Sequence, residues 1–283
     1  MQASNRFITG IYNYCDYWCE RCPFTRRCRN FAMGTELEKQ ADEQPPPDDA
    51  ANAEFWQHIA EKVRETTLFH QGDSWDDYDD DLEGVDFEID PEWIEQEDAR
   101  REAVRKHPLQ IESLAYMERA SAWLKAADAD LKALAHDLVE AAGNRFHDGD
   151  YEEQARQIGD FIEVVGWYHT LIPPKLGRAL NGLLERDAAD GPAAEILAES
   201  RQSDANGSGK VALMGIERSI GAWLRLREIL PAQEDAILDM LAMLSRMQRG
   251  IHTTLPGAQA FKRPGFDIDP DHPDAPFSDA PYS

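Results

Sequence analysis

After Cys28 the 283-residue chain contains no further cysteine. That excludes a disulfide framework spread over the domain, the usual device of small secreted folds. Positive charge is also scarce: 29 Lys and Arg stand against 54 Asp and Glu, for a net charge of −25. General nucleic-acid binding rests on Lys and Arg contacts to phosphate, and anionic membrane surfaces make the same demand, so both are disfavoured for the body of the chain. No run approaches the roughly 20 apolar residues of a membrane span. The first twenty residues, MQASNRFITGIYNYCDYWCE, show neither the continuous apolar segment nor the cleavage signal of a secretory leader, and a cytoplasmic location is the expectation. No strand-like alternation competes with the helical patterns described below. Gly-x-Ser-x-Gly, His-Glu-x-x-His and dinucleotide fingerprints are missing. None of the eight histidines follows a Glu by three residues, which removes the paired Glu-x-x-His motif of di-iron bundles.

What is present is concentrated near the start. Cys15, Cys19, Cys22 and Cys28 fall within fourteen residues in the pattern C-x3-C-x2-C-x5-C. Clustered thiols in a reducing compartment point to metal. Four thiolates can close a tetrahedral zinc site or hold one iron–sulfur cluster. Zinc sites usually place a longer insert between two Cys-x2–4-Cys knuckles. Three readings follow: a [4Fe-4S] cluster on the four cysteines, zinc on the same four, or four free or redox-active thiols. Arg21, Arg26, Arg27 and Arg29 stand among the candidate ligands, where they would offset thiolate charge and donate to sulfur. Seven aromatics among residues 1–36 would either form a dry shell for the centre or dock the module on the main domain.

The segment Cys19-Glu-Arg-Cys22-Pro23-Phe24-Thr-Arg-Arg-Cys28 resembles the C-terminal [4Fe-4S] loop of endonuclease III-type DNA glycosylases. The resemblance covers about fourteen residues and implies a cluster on the four cysteines. Three residues separate Cys15 from Cys19, where that family has six. Leu255-Pro256-Gly257 is similar to the family's DNA-binding hairpin, but Ala258 and Gln259 follow where a second glycine is wanted. The loop also stands at the opposite end of the chain, so the resemblance does not extend to glycosylase activity.

The expected fold is all-α: about four long helices in a bundle, a small N-terminal four-cysteine metal module, and acidic, partly disordered linkers. Residues 1–36 form the module and 37–52, with Pro45 to Pro47, a linker. Residues 53–106 hold a short amphipathic helix (53–69) and an acidic loop; the stretch 73–98 has fourteen Asp or Glu and no Lys or Arg. The bundle spans 107–255, with helices over 109–141, 151–171, 174–186, 208–229 and 232–250, and with Pro173-Pro174 breaking or kinking the second. Residues 256–283, with six prolines, form a tail that wraps the surface or stays disordered.

Other candidate sites are weaker. His169 and Glu217 fall on apolar stripes and are the catalytic candidates; a hydrogen-bonded core histidine and a buried ion pair to Arg178, Arg218 or His169 are the simpler reading. Asn206-Gly-Ser-Gly-Lys210 is a candidate anion loop or, more simply, a flexible loop with Ser208 as helix cap. Asp77, Asp79, Asp81 and Glu88 match EF-hand ligand positions, but Leu82 stands where glycine is required.

The functional expectation is a metal-cluster protein with a redox or structural role, acting through a protein partner that meets its acidic surface. One alternative is an enzyme with a bundle site at His169 and Glu217 fed by the cluster. The other is a zinc-stapled interaction adaptor. Local nucleic-acid contact is expected only at residues 1–36, where five Arg face three acids.

Overall fold

The computed structural model describes residues 7–43, 91–143, 151–187 and 194–267, and every regular element in them is helical. Six α-helices are found among these residues: α1 (Arg29–Glu43), α2 (Pro91–Lys106), α3 (Pro108–Gly143), α4 (Tyr151–Asp187), α5 (Ala194–Ile229) and α6 (Glu234–Thr254). Three single-turn 3-10 helices, Ile11–Tyr14, Cys19–Arg21 and Thr25–Arg27, precede α1. The all-α expectation holds. None of the described helices is long and apolar enough to cross a membrane.

Helix starts follow their sequence signals. Pro91 and Pro108 open α2 and α3, where a missing N–H costs nothing. Glu234 and Asp235 occupy the first turn of α6, favourable to the helix dipole. Helix α2 buries none of its side chains and is laced by ion pairs such as Arg101 to Glu97 at 3.0 Å and Lys106 to Glu102 at 3.1 Å.

Helices α3 to α6 form the bundle, each packed against the next and α6 returning to α3. Side-chain neighbours fix the directions. On α4 and α5, Gly182 lies against Ala205 and Tyr168 against Gly215, so the two run antiparallel. Glu112 of α3 reaches Arg246 of α6 while Arg119 reaches Met243, again antiparallel. The centre holds Trp223, Tyr116, Ile172, Ile216 and Leu244, all fully buried. Trp223 Nε1 donates to Tyr116 Oη at 3.0 Å, and the Trp123 ring meets Trp223 edge-on at 4.8 Å. Replacing Tyr116 by Phe leaves that buried indole N–H without its acceptor, and a loss of about 1–3 kcal/mol is expected from chemical denaturation; an unchanged midpoint would show that the bond contributes nothing.

The structure corrects several sequence expectations. Helix α4 continues through Pro173-Pro174 to Asp187, although neither proline can donate to the preceding turn. The flanking stripe explains this: Ile172, Leu176, Ala179 and Leu180 are all buried, and packing outweighs the lost bonds. Helix α5 begins at Ala194 rather than near 208, so Asn206-Gly-Ser-Gly-Lys210 lies inside it and is neither an anion loop nor a cap. Its glycines serve close approach instead, as described below. The linker expected from residue 37 starts within α1, which runs to Glu43. Residues 91–98 of the acidic stretch belong to α2. The prolines 45–47, the helix expected at 53–69, the rest of the acidic stretch with the EF-hand-like aspartates, and the tail beyond 267 lie outside the described residues.

Candidate metal centre

The N-terminal module is a string of tight turns. Cys15 ends the first 3-10 turn, Cys19 opens the second, Cys22 follows it, and Cys28 ends the third. Runs this short keep the thiols together in space: all four line one small cavity, of about 20 Å³, closed by Ile11, Tyr12, Tyr17, Trp18, Phe31 and Phe266. The cysteines are free thiols. Among the described residues, no group of three or more His, Cys, Asp or Glu side chains stands ready-made to hold a metal ion. The four thiols share a chamber without a formed coordination shell.

The electrostatics of that chamber are unfavourable to thiolates. Burial pushes the Cys15 thiol up to about 11, helped by Asp16 and Cys28 and opposed by the Tyr17 backbone N–H and by Lys175. Burial also raises Cys19, with Cys22 and Cys28 adding to the effect. Cys22 is raised by burial against a donated backbone N–H from Phe24. Cys28 is thus an electrostatic neighbour of the other three. A cation among them would reverse the balance, since ligation requires deprotonated sulfur and releases protons. The donor set and its apolar walls fit a thiolate-bound metal centre.

Helices α4 and α5 hold the first half of the module. Asp16, between the first two cysteines, is the anchor. Its Oδ2 accepts from Tyr168 Oη at 2.6 Å and from Arg218 Nη1 at 2.8 Å, and its backbone carbonyl accepts from Trp167 Nε1 at 2.9 Å. Arg218 also donates to Tyr168 Oη. Trp18 stacks on Trp167 with centroids 5.2 Å apart and planes 16° from parallel. Arg21 covers the Trp18 ring at 4.3 Å and pairs with Asp160 at 2.9 Å and Glu163 at 2.5 Å. Tyr17 takes a positive φ of 57°, a backbone conformation that non-glycine residues rarely adopt, and the Lys175 ammonium sits 4.5 Å from its ring centroid. Asp16→Asn removes the charge from a carboxylate with two side-chain donors, and a loss of about 1.5–3 kcal/mol is expected. A double-mutant cycle with Arg218→Met checks it, and additivity of the two losses would deny the coupling.

Residues 255–267 cover the module from the other side. Tyr14 lies on Gly207 of α5, its hydroxyl donating to Asp204 at 3.2 Å and its ring meeting Phe261 edge-on at 4.8 Å. Residues 255–267 fold back over the module. Leu255 and Ala258 are buried on Gly209, and Phe24 meets Phe266 at 5.0 Å. Gly265, at φ 77°, lets the backbone close over Ile8 and Ile11. Arg263 and Asp267 brace the turn with two bonds, at 2.8 and 2.9 Å. The hairpin-like Leu255-Pro256-Gly257 is part of this strap and packs on Asn206.

The remaining candidates separate. His169 is a core residue: Nδ1 lies 3.0 Å from the Val165 carbonyl and Nε2 3.0 Å from Ser121 Oγ of α3. Glu217, expected on a buried stripe, is exposed on α5. The two do not form a site, and Arg178 and Arg218 pair with Asp204 and Asp16 instead of Glu217. The expected role of Arg21 beside the sulfurs is also corrected, because it docks the module on α4. The cation acting on Cys15 is Lys175, which sequence reasoning passed over. Its signal was present: Lys175 stands three residues after Ile172 on the buried stripe, next to Leu176. Asp16, Tyr168 and Arg218 carried no such pattern. No protein-family model matches the chain, and no curated protein or solved structure matches it either.

Proposed function

We propose that Cys15, Cys19, Cys22 and Cys28 hold a [4Fe-4S] cluster, and that the protein is a cytoplasmic redox or structural accessory acting through a protein partner. The observation that supports this reading is the shared cavity: it is lined by all four thiols amid mostly apolar and aromatic side chains, and the one carboxylate there, Asp16, is engaged by Tyr168 and Arg218. The C-x2-C-P run from Cys19 and the following Cys28 favour iron–sulfur over zinc. With four protein ligands the centre has no open position for a substrate, so it would supply electron transfer or cross-linking of the module rather than Lewis-acid chemistry.

Zinc is the second reading, since four thiolates also close a tetrahedral zinc site. A zinc-stapled interaction adaptor would follow.

Anaerobic purification with metal analysis and an absorption spectrum before and after dithionite decides between them. A brown protein with about four irons that bleaches on reduction supports the cluster. A colourless protein with one zinc replaces it by the adaptor. A protein with neither metal overturns both.

A further inference from the structure

The chamber around the four thiols draws one wall from outside the module. Among the described residues that line it, all fall between Ile11 and Phe31 except Phe266, which the strap supplies. The strap itself divides in two. Its root is fixed on α5: Leu255 and Ala258 are buried against Gly209, Gly257 packs on Asn206, and the Gln259 carbonyl accepts from Lys210 Nζ at 2.9 Å. Its tip, residues 262–267, is held together from inside. The Phe266 and Asp267 N–H groups donate to the Arg263 carbonyl at 3.2 and 3.1 Å, Arg263 pairs with Asp267, and its guanidinium covers the Phe266 ring at 4.7 Å. The backbone at 261–263 lies between a turn in the root and a turn in the tip and belongs to neither. Towards the module the tip offers apolar contact: Phe266 on Phe24, Gly265 on Ile8 and Ile11, and Pro264 near Gly10. Among the described residues, no hydrogen bond or ion pair joins the tip to the module or the bundle. Moving such a tip breaks no polar bond, whereas moving the root would open the core at Leu255.

We propose that residues 262–267 are a lid on the four-thiol chamber. The braced tip swings as a unit about residues 261–263, Phe266 leaves the wall, and metal enters or leaves through the gap. The inference rests on the thiolate metal reading for what passes the lid, though not for the lid itself. A lid of this kind sets how fast metal is captured and released and leaves the ligands as they are.

The test uses the reduced full-length protein with zinc as the probe, followed by stopped-flow exchange with a chromophoric chelator. Phe266→Ala removes the ring of the tip; Phe24→Ala removes its partner, which does not line the chamber. Each is expected to speed zinc capture and zinc release alike, by about 2–10-fold, as the loss of one aromatic pair implies. Affinity stays at the wild-type value, and the double variant is no faster than either single one. Wild-type rates in both variants overturn the lid and leave the four-thiol centre standing. Faster release alone, with weaker affinity, makes Phe266 a fixed wall and overturns the lid as well. A wild-type protein that takes up no zinc overturns the centre, and the lid is then read from the metal-free thiols. Both variants are expected to react with a bulky maleimide faster than wild type by the same factor, and unchanged labelling rates overturn the lid.

Discussion

If Cys15, Cys19, Cys22 and Cys28 hold the metal proposed above, serine at any one of them is expected to lower metal affinity by more than about 100-fold. The magnitude follows from comparison. Loss of a group that merely supports a ligand costs about 10–100-fold, and loss of the ligand must exceed it. A serine hydroxyl does not ionise in this chamber, where burial already raises three of the four thiols. Structural metal sites also return their binding energy as folding energy. The turns Ile11–Tyr14, Cys19–Arg21 and Thr25–Arg27 are too short to be stable alone, so the variants should lose protease resistance at residues 7–28 along with metal. Metal content after gel filtration and limited proteolysis together check the prediction. A single-serine variant that retains full metal would remove that cysteine from the ligand set, and four such variants would end the metal reading.

Gly207→Ala is the second large effect. A Cβ at Gly207 overlaps the Tyr14 ring and would stand 2.9 Å from the tip of Phe261. At least one of the two rings must shift to make room. Tyr14 is tied to Asp204 and edge-packed on Phe261, and the helix carrying Gly207 is wedged against α4 through Gly215 and Tyr168. Overpacking by one methyl in such a site costs about 1–3 kcal/mol, or roughly 2–12 °C of melting temperature for a chain of this size. The distinguishing result is where the loss falls. The methyl lies between the module and the strap, so metal retention should drop while the Tyr116 and Trp223 core keeps its near-ultraviolet signature. Wild-type melting together with wild-type metal retention would show that the module is not held by this contact.

The bundle was legible from its apolar stripes because burial dominates long helices. Leu131, Ile158, Val165, Ile172, Leu213, Ile216, Ile237 and Leu244 are buried and recur at helical spacing. Local rules failed where tertiary packing overrode them. Pro173-Pro174 reads as a break and Asn206-Gly-Ser-Gly as a loop, yet both sit inside helices. The glycines there are not flexible hinges but the sites at which Tyr14, Phe261, Leu255 and Ala258 approach the α5 backbone. The cysteine cluster was plain in the sequence since all four residues lie within fourteen positions. Its shell was not: Asp16 meets Tyr168 across 152 positions and Arg218 across 202, and no periodicity encodes such a pairing. Glu217 shows the converse error, because one residue's rotation on a helix moves a side chain from core to water while its neighbour Arg218 turns to the module.

The strap at residues 255–267 closes over thiols made long before it. On a ribosome adding about 5–20 residues per second, Phe266 emerges roughly 12–48 s after Cys28. Early in that interval the four sulfurs lack α4 and α5, and to its end they lack the strap. Closure of the four-thiol chamber is thereby tied to synthesis of residues 255–267: a metal captured earlier would sit in a water-exposed loop until that segment seals it. A ribosome-stalled chain ending before residue 255 should lose its metal to a chelator quickly, whereas the released protein should surrender it slowly.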